Sequence, residues 1–242
     1  ARPLGAFDCI FAPCEDACPA HQNVADYIHL VARGRPADSL DVILRTNNLP
    51  AITGSVCDMP CFPACVRNHY DAPLAIRELK RFAVVASPSP APRPRFPETG
   101  VSVAVIGAGP TGLSAAYTLA IAGFTVTLFD DRKDLGGLVS AVIPSYRLSV
   151  ASVASDVARV TDLGVTLRLG TRVGRDVSFD ELRAAGFRSI VIAAGAAAGK
   201  KLAIAGEAAT GVLDALDFLG RVRDGSPPKL GNHILVIGGG NS

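Results

Sequence analysis

Two sets of residues in this chain have the types and spacing to do chemistry: its cysteines and its glycine turns. All six cysteines fall in the first 65 residues, as Cys9-x4-Cys14-x3-Cys18-Pro19 and then Cys57-x3-Cys61-x3-Cys65. Three chemistries compete for them. Disulfides suit an even count, but nothing else points to secretion, and the apolar remainder needs no staples. Zinc would favour C-x2-C pairs, which are absent. Iron–sulfur ligation fits best. A cysteine run closed by Cys-Pro is an iron–sulfur signature, and in two-cluster ferredoxins that last cysteine ligates the cluster other than its neighbours'. By that logic Cys18 joins Cys57, Cys61 and Cys65, while Cys9 and Cys14 stand apart.

The first glycine turn is Gly107-Ala108-Gly109-Pro110-Thr111-Gly112, a G-x-G-x-x-G. An apolar, β-branched run, Val101 to Ile106, leads into it with the composition of a strand buried on both faces. An Ala- and Leu-rich helix follows to Ala122 and stops at Gly123. A second strand, Thr125 to Phe129, ends on Asp130, which lies 23 residues after Gly107. Gly107 permits the tight turn, Gly109 lets backbone approach a pyrophosphate, and Gly112 lets helix and strand pack closely. The helix N-terminus offers free N–H groups to phosphate, and the acid at the second strand's end suits an adenosine ribose. Glycines alone serve turns in ligand-free α/β proteins; it is the full order of strand, glycines, helix, strand and acid that favours a dinucleotide. A second turn, Gly238-Gly239-Gly240-Asn241-Ser242, follows the apolar run His233 to Ile237, which reads as another strand. Two such loops imply two nucleotides, a bound flavin and a transient nicotinamide.

These residues need elements to position them. Val24, Tyr27, Ile28 and Val31 recur at helical spacing before Gly34, and Pro36 opens a second helix with Leu40, Ile43 and Leu44 inward. A third is expected from Leu74 to Val85, with Lys80-Arg81 on its solvated face. Ser87 to Pro97 is Pro-rich and reads as a semi-rigid polyproline connector. Beyond it, Val150 to Leu163 is an amphipathic helix, Val165 to Leu169 a strand, Ser178 with Glu181 a capping box, and Ser189 to Ala194 a strand. Strands alternating with helices predict an α/β dinucleotide-binding fold, Rossmann-like with a mainly parallel sheet, preceded by a small all-α iron–sulfur domain. The expected boundaries are 1–86 for the helical domain, 87–99 for the linker, 100–230 for an incomplete FAD domain and 231–242 for the start of an NAD(P) domain. A net charge of +2 with scattered lysines and arginines gives no nucleic-acid footprint. No apolar run approaches the ~20 residues of a membrane span, and no secretory signal is evident, so a cytoplasmic location is expected. A chain that opens on Ala1 and stops inside a glycine turn is expected to be part of a longer polypeptide.

Several stretches together carry a family resemblance. They are Cys18-Pro19-Ala20-His21-Gln22, Thr53-Gly54-Ser55-Val56-Cys57, Tyr70 to Glu78, the Gly107–Gly112 loop, Gly136-Gly137-Leu138, Ile143 to Leu148, Gly211 to Leu216 and the final Gly-Gly-Gly-Asn-Ser. With them the chain resembles the glutamate synthase small subunit and the N-terminal half of dihydropyrimidine dehydrogenase, and within that family is most similar to the selenate-reductase-type flavoproteins. The resemblance implies an iron–sulfur domain, then an FAD domain interrupted by an NAD(P) domain. It places Ala108 to Gly112 under the FAD pyrophosphate and Asp130 on its ribose. It adds Gly137, Leu138, Arg147 and Val173 as FAD contacts, and Gly238 to Ser242 as the start of the NAD(P) loop. It also exposes departures. Family members with two clusters carry a further cysteine where this chain has Ala6, which leaves Cys9 and Cys14 short of ligands. Some members place a non-cysteine ligand where this chain has Lys80.

The function implied is an electron-input module with FAD, a [4Fe–4S] cluster and NAD(P)H as cofactors. Hydride passes from NAD(P)H to FAD, and single electrons then pass through the cluster to an electron-accepting domain or subunit of a larger redox complex. No acid/base pair is assigned. The alternative is a non-catalytic scaffold or docking subunit derived from the same family.

Overall fold

In the computed structural model, residues 12–87, 93–196, 199 and 201–239 are described. The chain divides into two compact units, Ala1–Pro92 and Arg93–Ser242.

The first unit is helical. Helices α1 (Pro13–Asp16), α2 (Val24–Ala32), α3 (Pro36–Leu44) and α4 (Pro50–Val56) follow one another closely, and a longer segment, with a 3-10 turn at Val66–His69, leads to α5 (Ile76–Ala86). Proline opens α1, α3 and α4 at the first turn, where its missing N–H has no intrahelical partner to lose. Asn23 caps α2 by accepting the Asp26 N–H through its side chain. The core gathers Val24 and Tyr27 from α2, Val42 and Ile43 from α3, and Ile76 and Ala83 from α5. Cys14 and Cys61 pack against it. The third expected helix begins two residues later than the spacing suggested, after Leu74 and Ala75.

The second unit is built on a four-stranded parallel sheet in the order β3-β2-β1-β4, from β1 (Ser102–Ile106), β2 (Thr125–Asp130), β3 (Thr166–Leu169) and β4 (Phe187–Ile192). Central β1 is hydrogen-bonded on both sides and buries Val103, Ala104 and Val105. This is why its sequence is continuously apolar rather than alternating. Helix α6 (Pro110–Ile121) returns the chain from β1 to β2 and packs on the sheet through Leu113, Ala116, Tyr117 and Ala120. Two short helices, α7 (Leu138–Ala141) and α9 (Phe179–Ala184), and two longer ones, α8 (Val150–Thr161) and α10 (Ala215–Arg223), complete the unit. The expected capping box forms: Glu181 N–H donates to Ser178 Oγ, and Ser178 N–H donates back to Glu181 Oε2.

Part of the expected connector is tied down. Phe96 N–H donates to Ile121 O and Thr99 N–H to Gly123 O, along the turn from α6 to β2. One expected strand is absent. His233–Ile237 belongs to no ladder, and Ile234 to Ile237 are all exposed. A strand exists only through neighbours that take up its N–H and C=O groups, and among the described residues none does so here.

Candidate functional site

The glycine turn is organised by backbone. Gly107, at φ +107°, would drive an added Cβ to 2.2 Å from Ala193 O, and a Cβ on Gly112 would stand 1.7 Å from Gly107 O. Those two glycines are required by the fold itself. Gly109 is different. It sits at φ −73° and ψ −178° as the N-cap of α6, a conformation any residue adopts. A Cβ there meets only Gly137 Cα, at 3.9 Å. It would project into open space at the mouth of the helix, where the first N–H groups have no intrahelical partner. Pro110 occupies the first position, with Thr111 and Gly112 after it. A backbone-only floor at a 12-residue helix N-terminus is the cradle a pyrophosphate requires,.

The segment after β2 closes this floor. Gly136 N–H donates to Ala108 O at 2.9 Å, and a Cβ on Gly137 would meet Gly109 Cα at 2.8 Å. Leu138 then begins α7 beside the loop. Asp130 ties the same region together. Its Oδ2 accepts the Ala108 N–H at 2.6 Å and its Oδ1 accepts the Arg132 N–H at 2.8 Å. Two carboxylate oxygens have about four acceptor positions, so lone pairs remain for a ribose hydroxyl. Arg147 is exposed after α7. Val173 is half-buried and packs with Ala104, Phe129 and Leu182, against the two central strands. Gly238 adopts φ +107°, the same value as Gly107; Gly239 is exposed. Gly240, Asn241 and Ser242 lie outside the described residues.

The described cysteines all lie in the helical unit. Cys14, Cys18, Cys57, Cys61 and Cys65 are free thiols; Cys9 lies outside the described residues. Cys57 and Cys18 act electrostatically on Cys61, while Glu15, Cys65 and Cys61 act on Cys14. Burial pushes both the Cys14 and Cys61 thiols up, and the neighbouring sulfurs push the same way. The Tyr27 phenol is raised for the same reasons, burial first, then Cys61 and Cys18. Two N–H groups point at sulfur. Gln22 Nε2 donates to Cys18 Sγ at 3.5 Å, and the Met59 N–H donates to Cys57 Sγ at 3.4 Å. Gln22 is itself held by Asn47 Nδ2, which donates to Gln22 Oε1 at 3.1 Å and to Thr53 Oγ1 at 2.7 Å.

Among the described residues, no three His, Cys, Asp or Glu side chains converge tightly enough to hold a single metal ion. A four-iron cluster spreads its thiolates over the corners of a cube, farther apart than ligands of one ion, so the donor chemistry rather than the single-ion geometry is the relevant fit. Five thiols, two of them already hydrogen-bonded in the way cluster sulfurs are, fit that group.

Sequence reasoning missed Lys80. It was expected on a solvated face, yet it is 3% exposed while its neighbour Arg81 is exposed. Ile76, Lys80 and Ala83 form one buried stripe of α5. Arg77, one turn before Lys80, donates from Nη1 to Cys57 O at 3.0 Å. Burial lowers the Lys80 pKa, while Cys57, Cys18 and Cys61 around it pull it back up. The i, i+4, i+7 spacing of Ile76, Lys80 and Ala83 was the available signal.

Residues 101–242, more than half of the chain, match the family model for pyridine nucleotide-disulphide oxidoreductases. The chain belongs to that family. Residues 5–89 match a second model, dihydropyrimidine dehydrogenase domain II, 4Fe–4S cluster. The protein YgfK of Escherichia coli K12 is 38% identical over 100% of this chain and 24% of its own length. The NADP(+)-dependent formate dehydrogenase subunit beta of Moorella thermoacetica is 38% identical over 96% of this chain and 36% of its own. The glutamate synthase [NADPH] small chain of Mycobacterium tuberculosis H37Rv is 35% identical over 97% and 51%. The chain therefore spans between 24% and 51% of the length of these relatives. The Rossmann-like sheet, the preceding iron–sulfur domain and the cofactor set of FAD, [4Fe–4S] and NAD(P)H expected from the sequence agree with the two matched models. No helix among the described residues is long and apolar enough to cross a membrane.

Proposed function

We propose that this chain is the electron-input module of a larger oxidoreductase, taking reducing equivalents from NAD(P)H and delivering single electrons to an accepting domain or subunit. When bound, FAD and the [4Fe–4S] cluster supply the change from two-electron to one-electron transfer; the protein's work is to hold and tune them. One observation carries the proposal: in one chain, a glycine cradle whose only side-chain vacancy is at Gly109 accompanies a set of buried and half-buried thiols, two of which receive N–H donors.

In this reading Ala108 to Gly112, Gly136-Gly137 and the first N–H groups of α6 seat the FAD pyrophosphate. Asp130 both locks the Ala108 N–H and accepts from the ribose, with Leu138, Arg147 and Val173 further along the flavin. Gly238, sharing the φ of Gly107, opens the nicotinamide loop that continues through Ser242. Cys18, Cys57, Cys61 and Cys65 hold the cluster, and Cys9 and Cys14 stand outside that set. Gln22 and the Met59 N–H fix the sulfurs of Cys18 and Cys57 and stabilise their negative charge.

The test is anaerobic titration of the intact protein with NADPH and with NADH, followed in the visible spectrum. The expected result is loss of flavin absorbance together with the broad iron–sulfur absorbance. A protein that contains both cofactors but is bleached by neither nucleotide overturns the proposal.

A further inference from the structure

We infer that Lys80 is the resident countercharge of the Cys18–Cys57–Cys61 thiolate group, and that its positive charge raises the reduction potential of whatever iron–sulfur centre those thiolates hold. The inference rests on the proposed assignment of those three cysteines.

The geometry comes first. Lys80 lies on the buried stripe of α5 between Ile76 and Ala83, both members of the core against which Cys61 packs. One turn earlier, Arg77 anchors the same helix to the Cys57 carbonyl, and α5 packs along α4, which runs directly into Cys57. The side chain is thereby turned into the core against which Cys61 packs, rather than out to solvent.

The energetics make that placement informative. A lysine that is 3% exposed carries a large desolvation penalty unless an anion compensates it. Among the described residues, no carboxylate pairs with Lys80; the acidic groups that act on it most strongly are Cys57, Cys18 and Cys61. Neutral thiols cannot compensate an ammonium. Thiolates held by iron can, permanently and in a low-dielectric setting where the interaction is strong. A fixed cation beside an iron–sulfur centre favours the form that carries one more electron, so the potential rises. Gln22 and the Met59 N–H act in the same direction with partial charges, and Lys80 adds a whole one.

The experiment compares the intact, anaerobically purified protein with its Lys80→Met and Lys80→Arg variants. Iron and acid-labile sulfide are quantified, and the midpoint potential is read from the paramagnetic signal of the reduced centre during redox titration. Lys80→Met, similar in length but neutral, is expected to lower the reduction equilibrium constant at least tenfold, about 59 mV for one electron. Lys80→Arg, which keeps the charge, is expected to stay near the wild-type potential. Iron loss in Lys80→Met that Lys80→Arg prevents also supports a charge role. A wild-type potential in Lys80→Met at full iron content overturns the inference, as does equal iron loss in both variants, which would make shape rather than charge the requirement. An iron-free wild-type protein would instead overturn the proposed function, and the two failures are thus told apart.

Discussion

Replacing Gly109 with alanine separates what the fold needs from what a nucleotide needs. The backbone there, at φ −73° and ψ −178°, suits alanine. The new Cβ touches only Gly137 Cα at 3.9 Å, an ordinary contact. Folding stability should therefore hold or rise, by about 0.4–1 kcal/mol, because the unfolded chain loses freedom. The methyl nevertheless stands in the opening over the α6 N-terminus, where a phosphate must approach backbone closely. Overpacking of a fitted site costs about 1–3 kcal/mol, which at tenfold per 1.4 kcal/mol is a loss of roughly 5- to 150-fold in FAD affinity. Gly112→Ala is the contrasting variant. Its Cβ would lie 1.7 Å from Gly107 O, a backbone carbonyl with no freedom to yield. It should destabilise the domain whether or not flavin is present. Thermal melts of the flavin-free proteins and fluorescence titration with FAD read the two effects separately. Wild-type FAD affinity in Gly109→Ala would refute the cradle, and unfolding of Gly109→Ala comparable to Gly112→Ala would refute the distinction between the glycines.

Three further outcomes follow from the same geometry. Asp130→Asn replaces an acceptor facing the Ala108 or Arg132 N–H with an NH2 group; denaturant melts should show a loss of about 1–3 kcal/mol, alongside weaker FAD binding. Asn47→Leu removes the buried donor to Gln22 Oε1 and the acceptor of the Leu49 N–H, while Thr53 Oγ1 keeps its bond to Leu49 O, so urea unfolding should report a loss of about 1–3 kcal/mol in the helical unit. The Arg175 guanidinium and the Arg172 N–H hold the Asp176 carboxyl down at about 2. A depressed carboxylate stabilises the fold above its unfolded value near 4, and that contribution is lost as pH falls through about 2. Asp176→Asn should accordingly lower thermal stability at pH 7, with the gap to wild type closing toward pH 2 in a pH series of melts.

What was legible in the sequence was local. Val101 to Asp130 declares strand, turn, helix and strand because each residue's job depends on neighbours a few positions away, and every one of those elements is present. The capping box of Ser178 and Glu181 was equally readable. Helix α4 was not. Its seven residues, Pro50 to Val56, include Gly54 and Thr53 and hold their shape by packing on α5 rather than by propensity. His233–Ile237 has strand composition, but composition cannot supply a ladder partner. Cysteine spacing shows which thiols are near along the chain, not which side chains of another helix come in beside them; the bond from Arg77 to the Cys57 carbonyl is a tertiary fact. Lys80 was misread because lysine beside arginine on a helix is normally solvated, and only the apolar residues four before and three after it betrayed the buried stripe.

The most direct test is a crystal structure of the anaerobically purified protein with an anomalous difference map collected at the iron edge. The account predicts iron density among Cys18, Cys57 and Cys61, beside Lys80, and an FAD pyrophosphate over Gly109 at the start of α6. Iron-free thiols at those three positions, or a glycine turn with FAD bound elsewhere in the chain, would contradict it.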